Sequence, residues 1–362
     1  MTFDLVHIRR GSLLALGAIV SVGVLAASSL PASADGHRDP KRAAGYTVTA
    51  FAAVGTESKP DDVTRLGAHI YVAFQNGVGP LGETSPTGAS SSTVQEYGLD
   101  GHPGRAWQVT GKVDGLTADD EGHRLLLTAN EDGNSRFSTL TPDASQPLQT
   151  YTYSGLTHGG GTDAISVFHD RIVVTASAPT DAAGPALYTV HLNGSTATLT
   201  PEFTDNATAA ALNGPLSGQR TALGLTDPDS NTVVPRSAPR FRGDLMLTAQ
   251  GDRQLIFTDS VTAGDQNLQV LSVSEPLDDT AFIERSSQTL WITDPTANTI
   301  DAVTGPFQPG QAISSVTPDT GPAYLATLNL ADGKLSPIPA LAAIAPKGLL
   351  VTSNRANSTE DR

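Results

Sequence analysis

The chain contains no cysteine among its 362 residues, which excludes a disulfide framework, thiolate metal sites and a lipid-anchoring thiol. Stability must then come from packing and strand pairing. Positive charge is scarce too, with 22 Lys and Arg against 37 Asp and Glu and a net charge of −15. Such a balance argues against nucleic acid and anionic surfaces as partners. It suits solubility, and it is compatible with binding a cation. Sustained helical periodicity is missing; Ala207 to Leu212 offers at most a single turn. Two nucleotide and hydrolase signatures are also absent. Gly159-Gly160-Gly161 is not followed by the Lys-Ser/Thr of a phosphate loop and leads into a strand, and no Gly-x-Ser-x-Gly elbow occurs. Close backbone packing near a channel explains the triple glycine better.

The one long apolar run is N-terminal. Arg9 and Arg10 precede Leu13 to Leu25, and Ala32-Ser33-Ala34 supplies a small-x-small cleavage pattern. We expect a signal peptide over residues 1–34, cleaved after Ala34, by ordinary secretion or by the twin-arginine route. The run is short for a bilayer span and no second one follows, so a secreted protein without a membrane anchor is expected. Without Asp4, Arg9 and Arg10, the remaining chain holds 36 acidic and 20 basic residues. Residues 35–45 are expected to be flexible, and the polar tail 353–362 to be disordered.

What the sequence does contain is a recurring phrase: an acid, a tight turn and an apolar strand. It reads DDVTRLGAHIYVAF from Asp61, DGLTADDEGHRLLLTA from Asp114, DAISVFHDRIVVTA from Asp163 and DTAFIERSSQTLWIT from Asp279. The acidic starts fall 53, 49 and 116 residues apart, the last being two periods, so one unit without the acid should lie between Asp163 and Asp279. Its second strand is visible as RGDLMLTA from Arg242, and a sixth copy ends as APKGLLVTS from Ala345. Repeats of this length predict an all-β six-bladed β-propeller over residues 46–352.

Each phrase reads as the A and B strands of one blade, turning at Gly67, Gly122, Gly243 and Gly348. Outer strands follow, clearest where Asn193-Gly194 joins ALYTVHL to TATLTPEF. The segment YTVTAFAAV from Tyr46 should pair with the last strands, so that both termini close one blade and leave no open edge. Residues Thr299 to Leu341 hold more strand-like runs than one blade uses, which leaves room for a seventh blade. DPDSN from Asp227 lacks the glycine and terminal glutamate of an EF-hand and is read as part of a long loop from Asn206 to Arg240.

LWITDPTANTIDAVTG from Leu290 resembles the repeat of NHL-type propellers, and DGLTADDEGHRLLLTANED from Asp114 is similar to blades of the SMP-30/gluconolactonase class. That resemblance implies a six-bladed propeller and a calcium-dependent lactonase or esterase with a metal held by carboxylate and amide oxygens. A departure is that the first blade offers Lys59-Pro60-Asp61-Asp62 where this class uses a glutamate ligand.

Because A and B strands run antiparallel, A-strand starts and B-strand ends share one face. Asp61, Asp114, Asp163 and Asp279 are therefore candidate metal ligands, with calcium the expected ion. Asn76, Asn130, Glu131, Gln250 and Asp294 are candidate ligand-binding residues on the same face, together with Gln75 and Asn354. An Asp before a strand can equally hold a turn through backbone hydrogen bonds. His69, His123 and His169 fall at the remote A–B turns, whereas His158, before the triple glycine, is the candidate catalytic base. Two functions remain: an extracellular module, expected monomeric, that binds a small molecule, glycan or protein, and a calcium-dependent hydrolase. One such fold hosts many functions.

Overall fold

The structure, a computed structural model, describes residues 41–43, 45–52, 54–262 and 267–353. The expected signal peptide, most of the expected flexible segment, Asn354 and the tail beyond 353 lie outside the described residues. Strands dominate, and the only helical element among the described residues is a 3-10 turn at Pro339–Leu341. They form five hydrogen-bonded sheets, of which the eight-stranded one is two blades joined where 152–154 runs parallel to 196–198. The chain is a six-bladed β-propeller.

In chain order from inner strand A to outer strand D, blade 1 is Pro60–Leu66, His69–Phe74, Ser91–Gly98 and Pro103–Thr110. Blade 2 is Val113–Asp119, Arg124–Ala129, Arg136–Leu140 and Leu148–Ser154, and blade 3 is Gly161–Phe168, Arg171–Ser177, Pro185–Asn193 and Thr196–Thr204. Blade 4 is Pro228–Val233, Leu245–Ala249, Gln254–Thr258 and Gln269–Ser272, extended outward by Thr208–Ala211 and Arg220–Ala222. Two sequence expectations are corrected here. Residues Ala207 to Leu212 give a strand rather than a helical turn, because they pair in parallel with 269–270. DPDSN is not a surface loop; Pro228–Val233 is the missing inner strand, paired with Leu245–Ala249.

The last two blades exchange strands. After the inner strand of blade 5, Leu277–Phe282, the chain crosses to blade 6 for its B and C strands, Gln288–Asp294 and Thr299–Thr304. It then returns to blade 5 for Ala312–Val316, Tyr324–Leu328 and Leu335–Pro337, and ends in blade 6 as the inner strand Leu349–Ser353. DTAFIERSSQTLWIT is therefore not a hairpin. Its two halves pair elsewhere, Leu277–Phe282 with Ala312–Val316 and Gln288–Asp294 with Leu349–Ser353. APKGLLVTS is likewise an inner strand, so Gly348 precedes strand A rather than turning from A to B. The surplus strands from Thr299 to Leu341 are shared between these blades, and no seventh blade forms among the described residues. Tyr46–Ala50 adds strand D to blade 6 through Thr47–Thr304 to Ala50–Asp301 pairing, so both termini do close one blade. Lys41–Ala43, within the segment expected to be flexible, pairs beyond it.

The B strands are apolar on both faces because each lies between two neighbours. In blade 2, Leu125 and Leu127 pack with Tyr71 and Val94 of blade 1, while Leu126 packs with Ile165 and Val174 of blade 3. In blade 1, Tyr71 and Ala73 face blade 2, and Ile70, Val72 and Phe74 face Trp291 and Ile300 of blade 6. The period of two thus assigns alternate side chains to alternate interfaces. No single core exists; each pair of adjacent blades owns one.

A polar clasp joins these interfaces near the channel. Thr128 of blade 2 accepts the N–H of Gly115 in its own inner strand at 2.9 Å and donates to the carbonyl of Asp163 in blade 3. Thr293 repeats the arrangement, accepting from Gly348 at 2.8 Å and donating to the Asp61 carbonyl of blade 1. Thr175 donates to the Asp229 carbonyl at 2.9 Å and Ser315 to that of Lys347 at 2.6 Å. Thr128→Val keeps the shape and strands a buried N–H and a buried carbonyl. We expect a loss of about 2 to 4 kcal/mol in urea unfolding, with Thr128→Ser near wild type; equal stability of the two variants would refute the clasp.

Candidate functional site: an acidic ring at the channel mouth

In blades 1 to 5 the pairing register of the inner strand slips at its start: between Pro60 and Val63, Val113 and Gly115, Thr162 and Ile165, Pro228 and Ser230, and Leu277 and Thr280. The extra residue of each bulge interrupts the in-and-out alternation and lets an acid face the channel. These acids are Asp61, Asp114, Asp163, Asp229 and Asp278, with Asp62 and Asp279 following two of them. They line a cavity of about 280 Å³, to which Glu131 and Lys347 also contribute. All four expected metal ligands, Asp61, Asp114, Asp163 and Asp279, lie there. The unit read as lacking an acid has one in Asp229, and the position occupied by acids in blades 1 to 5 carries Lys347 in blade 6.

Two lysines neutralise part of the ring. Lys347 Nζ lies 2.9 Å from Asp278 and 3.4 Å from Asp61, bridging blades 5 and 1 from blade 6. Lys112 Nζ lies 2.8 Å from Asp114 and also pairs with Glu131. The burial of Lys112 alone would lower its pKa, but Asp114 and Glu131 outweigh it and push the ammonium up. Lys347 is likewise raised, by Asp278 and Asp61 against its burial. Two further carboxylates serve the backbone: Asp62 accepts the N–H of Leu116 at 2.8 Å and Asp279 that of Leu349 at 2.7 Å. These two bonds tie neighbouring inner strands together rather than fixing a turn; of the four aspartates expected before strands, Asp279 also accepts the adjacent Thr280 N–H at 2.6 Å.

Asp163 and Asp229 have no lysine at ion-pairing distance, although the charge of Lys347 acts on Asp229 and opposes its rise. Burial pushes both well above the ordinary carboxyl range, and neighbouring carboxylates push further. Burial also raises Asp114 well above that range, Asp61 to about 6 and Asp279 to about 7. Asp114 Oδ1 accepts from Gln75 at 3.0 Å. Its Oδ2 is buried without a hydrogen-bond partner, as is Asp61 Oδ1, whose nearest cation is Lys347.

The remaining candidates divide. Gln250 donates to Asp278 at 3.3 Å and to Thr317 at 3.1 Å, at the rim of the ring. Asn76 and Asn130 adopt left-handed backbone, φ 54° and 69°, and commit their side chains to local turns. Asn76 accepts from the Ser58 N–H and donates to Ser91 and Thr93, while Asn130 accepts from the Lys112 N–H. Asp294 accepts the N–H groups of Thr296, Ala297 and Ala345. Of the five expected ligand-binding residues, Glu131 alone lines the cavity. His158 does not; it is buried against Tyr188, accepts the Gly160 N–H at Nδ1, and its pKa is lowered by burial. The triple glycine is a packing device, for a Cβ on Gly161 would stand 1.9 Å from the Glu131 carbonyl oxygen.

Among the described residues, no group of three or more His, Asp or Glu side chains is arranged to hold a metal ion. The acids encircle a space instead of converging on a point. The residues present do not form the shell of six to eight oxygens that calcium requires.

No protein-family model matches the chain, and no curated protein matches it. Similar solved structures share little sequence. A nidogen/laminin complex matches with TM-score 0.50 at 12% identity, covering 87% of this chain and 97% of that one. A putative 6-phosphogluconolactonase from Bacteroides uniformis matches with TM-score 0.48 at 10% identity, covering 85% and 94%. The periplasmic gluconolactonase of Pseudomonas aeruginosa matches with TM-score 0.44 at 12% identity, covering 83% and 90%. The likeness is one of fold.

The raised carboxyls predict how stability responds to pH. Unfolded Asp ionises near pH 4. Above that pH the folded chain holds protons that the unfolded chain has released, so raising the pH favours unfolding. The contribution is complete below about pH 4 and is lost as pH climbs through about 6 for Asp61 and about 7 for Asp279, with Asp163 and Asp229 raised in the same direction. The melting temperature of ligand-free protein in a metal-free, amine-free buffer is expected to fall between about pH 5 and pH 8. Asp229→Asn should shrink that fall, because it removes one raised carboxyl and the neighbouring charge that raises Asp163. A melting temperature that climbs over this range would contradict the assignment.

Proposed function

We propose that the chain is a propeller binding module that takes a cation at the acidic end of its channel. The observation that carries this reading is the imbalance of charge in one buried ring. Asp61, Asp62, Asp114, Glu131, Asp163, Asp229, Asp278 and Asp279 line the cavity, and their direct ion-pair partners are Lys112 and Lys347. Buried like charges repel strongly in a medium of low dielectric, so a bound cation relieves the ring wherever a lysine does not.

The hydrolase reading lacks comparable support. His158 lies off the cavity, no nucleophile elbow occurs, and the acids are not grouped as a metal shell. We take the protein to be exported, on the strength of Arg9-Arg10, the apolar run and Ala32-Ser33-Ala34.

A thermal-shift series with calcium, magnesium, potassium and organic cations, paired with a lactone and ester hydrolysis screen, tests the proposal. At least one cation is expected to raise the melting temperature of the wild type and to have far less effect on Asp163→Asn, with no hydrolysis of any lactone. Calcium-dependent turnover lost in Asp163→Asn would replace the binding module with the hydrolase.

A further inference from the structure

Acids also meet away from the channel, between blades 3 and 4. Asp205 directly follows strand D of blade 3, and its side chain is fully buried with neither carboxyl oxygen given a hydrogen-bond partner. Its main chain fixes it from two sides. The Asp205 N–H donates to the Gly184 carbonyl at 2.8 Å, and the Asp205 carbonyl accepts the N–H groups of Gly224 and Leu225 at 2.8 and 2.9 Å. Asp205 is thus held between the loop that leads into strand C of blade 3 and the segment that leads into strand A of blade 4. Each side brings another acid. Asp181 lies in the loop, where its carbonyl accepts the Gly184 N–H at 2.9 Å and its Oδ1 the Ala183 N–H at 3.0 Å. Asp252, in the B–C turn of blade 4, is tied to the residue after Leu225, accepting the Thr226 N–H at 2.7 Å and its hydroxyl at 2.8 Å.

A buried carboxyl group with two bare oxygens is costly, and it points to a missing partner. Water could supply hydrogen bonds, so charge decides between the candidates. Burial and the nearby charges of Asp252 and Asp181 raise Asp205 to about 7, and no lysine or arginine among the described residues offsets them. Arg253, beside Asp252 in sequence, pairs with Asp319 instead. The channel differs, because Lys112 and Lys347 neutralise part of its ring. A cation answers both the bare oxygens and the unbalanced charge. Two free oxygens on one carboxylate suit calcium, which accepts bidentate carboxylates in a flexible shell; magnesium demands a stricter octahedron. No three carboxylates converge here, and both Asp252 oxygens are engaged by Thr226. Asp205 is therefore the direct ligand, and the affinity belongs at the weak end of the calcium range, about 10⁻⁴ to 10⁻³ M.

We propose that Asp205 chelates a calcium ion between blades 3 and 4, with Asp181 and Asp252 contributing negative charge and water completing the shell. This site shares no residue with the channel ring and does not depend on a cation there. The ion ties the loop before strand C of blade 3 to the start of blade 4.

Calorimetric titration of the full chain with calcium chloride at about pH 8, where the carboxyl is free of its proton, tests this, with magnesium chloride as comparison. Whatever the channel takes up, one calcium is expected to persist in Asp163→Asn and to bind at least ~10-fold more weakly in Asp205→Asn. Magnesium should bind the wild type more weakly than calcium. Asp181→Asn, an exposed change that keeps an oxygen for the Ala183 N–H, should weaken calcium ~3-fold by removing charge alone. Calcium binding that is unchanged in Asp205→Asn, or that is lost in Asp163→Asn, overturns the proposal, as does the absence of calcium binding. A near-ultraviolet circular dichroism spectrum shared with the wild type establishes that a loss in Asp205→Asn is local. Where that spectrum differs, Asp181→Asn decides, and an unaltered affinity in that variant overturns the site.

Discussion

The close approach of neighbouring inner strands around the channel is the constraint from which the rest of the molecule follows. A Cβ on Gly115 would stand 2.5 Å from the Asp163 carbonyl oxygen, and one on Gly348 would stand 2.4 Å from that of Asp61. Only glycine admits the next blade at that distance. The hydroxyls of Thr128 and Thr293 lock the same points by accepting an N–H from one strand and donating to a carbonyl of the next. Once the backbones are held so near, the bulged acids of adjacent blades have no direction to face except the channel. The fold thus makes the charge cluster, and the cluster is a consequence of ring closure as much as of composition.

Closure itself is secured twice at the seam. Tyr46–Ala50 supplies the outer strand of blade 6 and Leu349–Ser353 its inner strand, so the chain ends enclose the B and C strands between them. The exchange between blades 5 and 6 adds a second lock. Neither blade can be completed before residues on both sides of Gln288–Thr304 are in place, which raises the sequence separation of the contacts that must form. Folding dominated by such non-local pairing is slow. The resulting seam carries hydrophobic contacts of Phe51 with Trp291 and of Tyr46 with Phe307, both edge-on.

The repeat made the propeller legible because an apolar B strand buried on both faces has a signature that loops lack. Leu125-Leu126-Leu127 and Leu245–Ala249 declare themselves. Asp61, Asp114 and Asp163 were legible by their recurrence ahead of such B strands, whereas in blade 5 the reading fell on Asp279 and not on Asp278 beside it. Asp229 was hidden because the segment before it, with two short outer strands at Thr208–Ala211 and Arg220–Ala222, lengthens that unit and looks like a loop. The strand exchange had no local sign at all: Leu277–Phe282 and Gln288–Asp294 read like any A–B pair, and only long-range pairing separates them. Lys112 and Lys347 were equally silent, since a lysine beside a glycine or proline is ordinary surface chemistry until its neighbours are known. Asn76, Asn130 and Asp294 stood out by position, yet position does not tell whether a side chain serves a ligand or its own turn.

Local rules conflict with the global fold most densely in the ring, where the channel buries carboxyl groups beside one another and pushes their pKa values upward. Outside it, Asp205 is a second such point, buried with both carboxyl oxygens unpartnered and its pKa raised by burial to about 7. Repetition alone does not account for this. Blade 6 carries Lys347 where its siblings carry acids, so the repeat tolerates a base at this position, and a second such lysine on blade 3 or 4 would relieve Asp163 and Asp229 as Lys347 relieves Asp61 and Asp278. Stability alone would favour that change. Asp163 and Asp229, without a lysine at ion-pairing distance, and the unpartnered Asp114 oxygen therefore mark the arc where burying the ring costs the fold most.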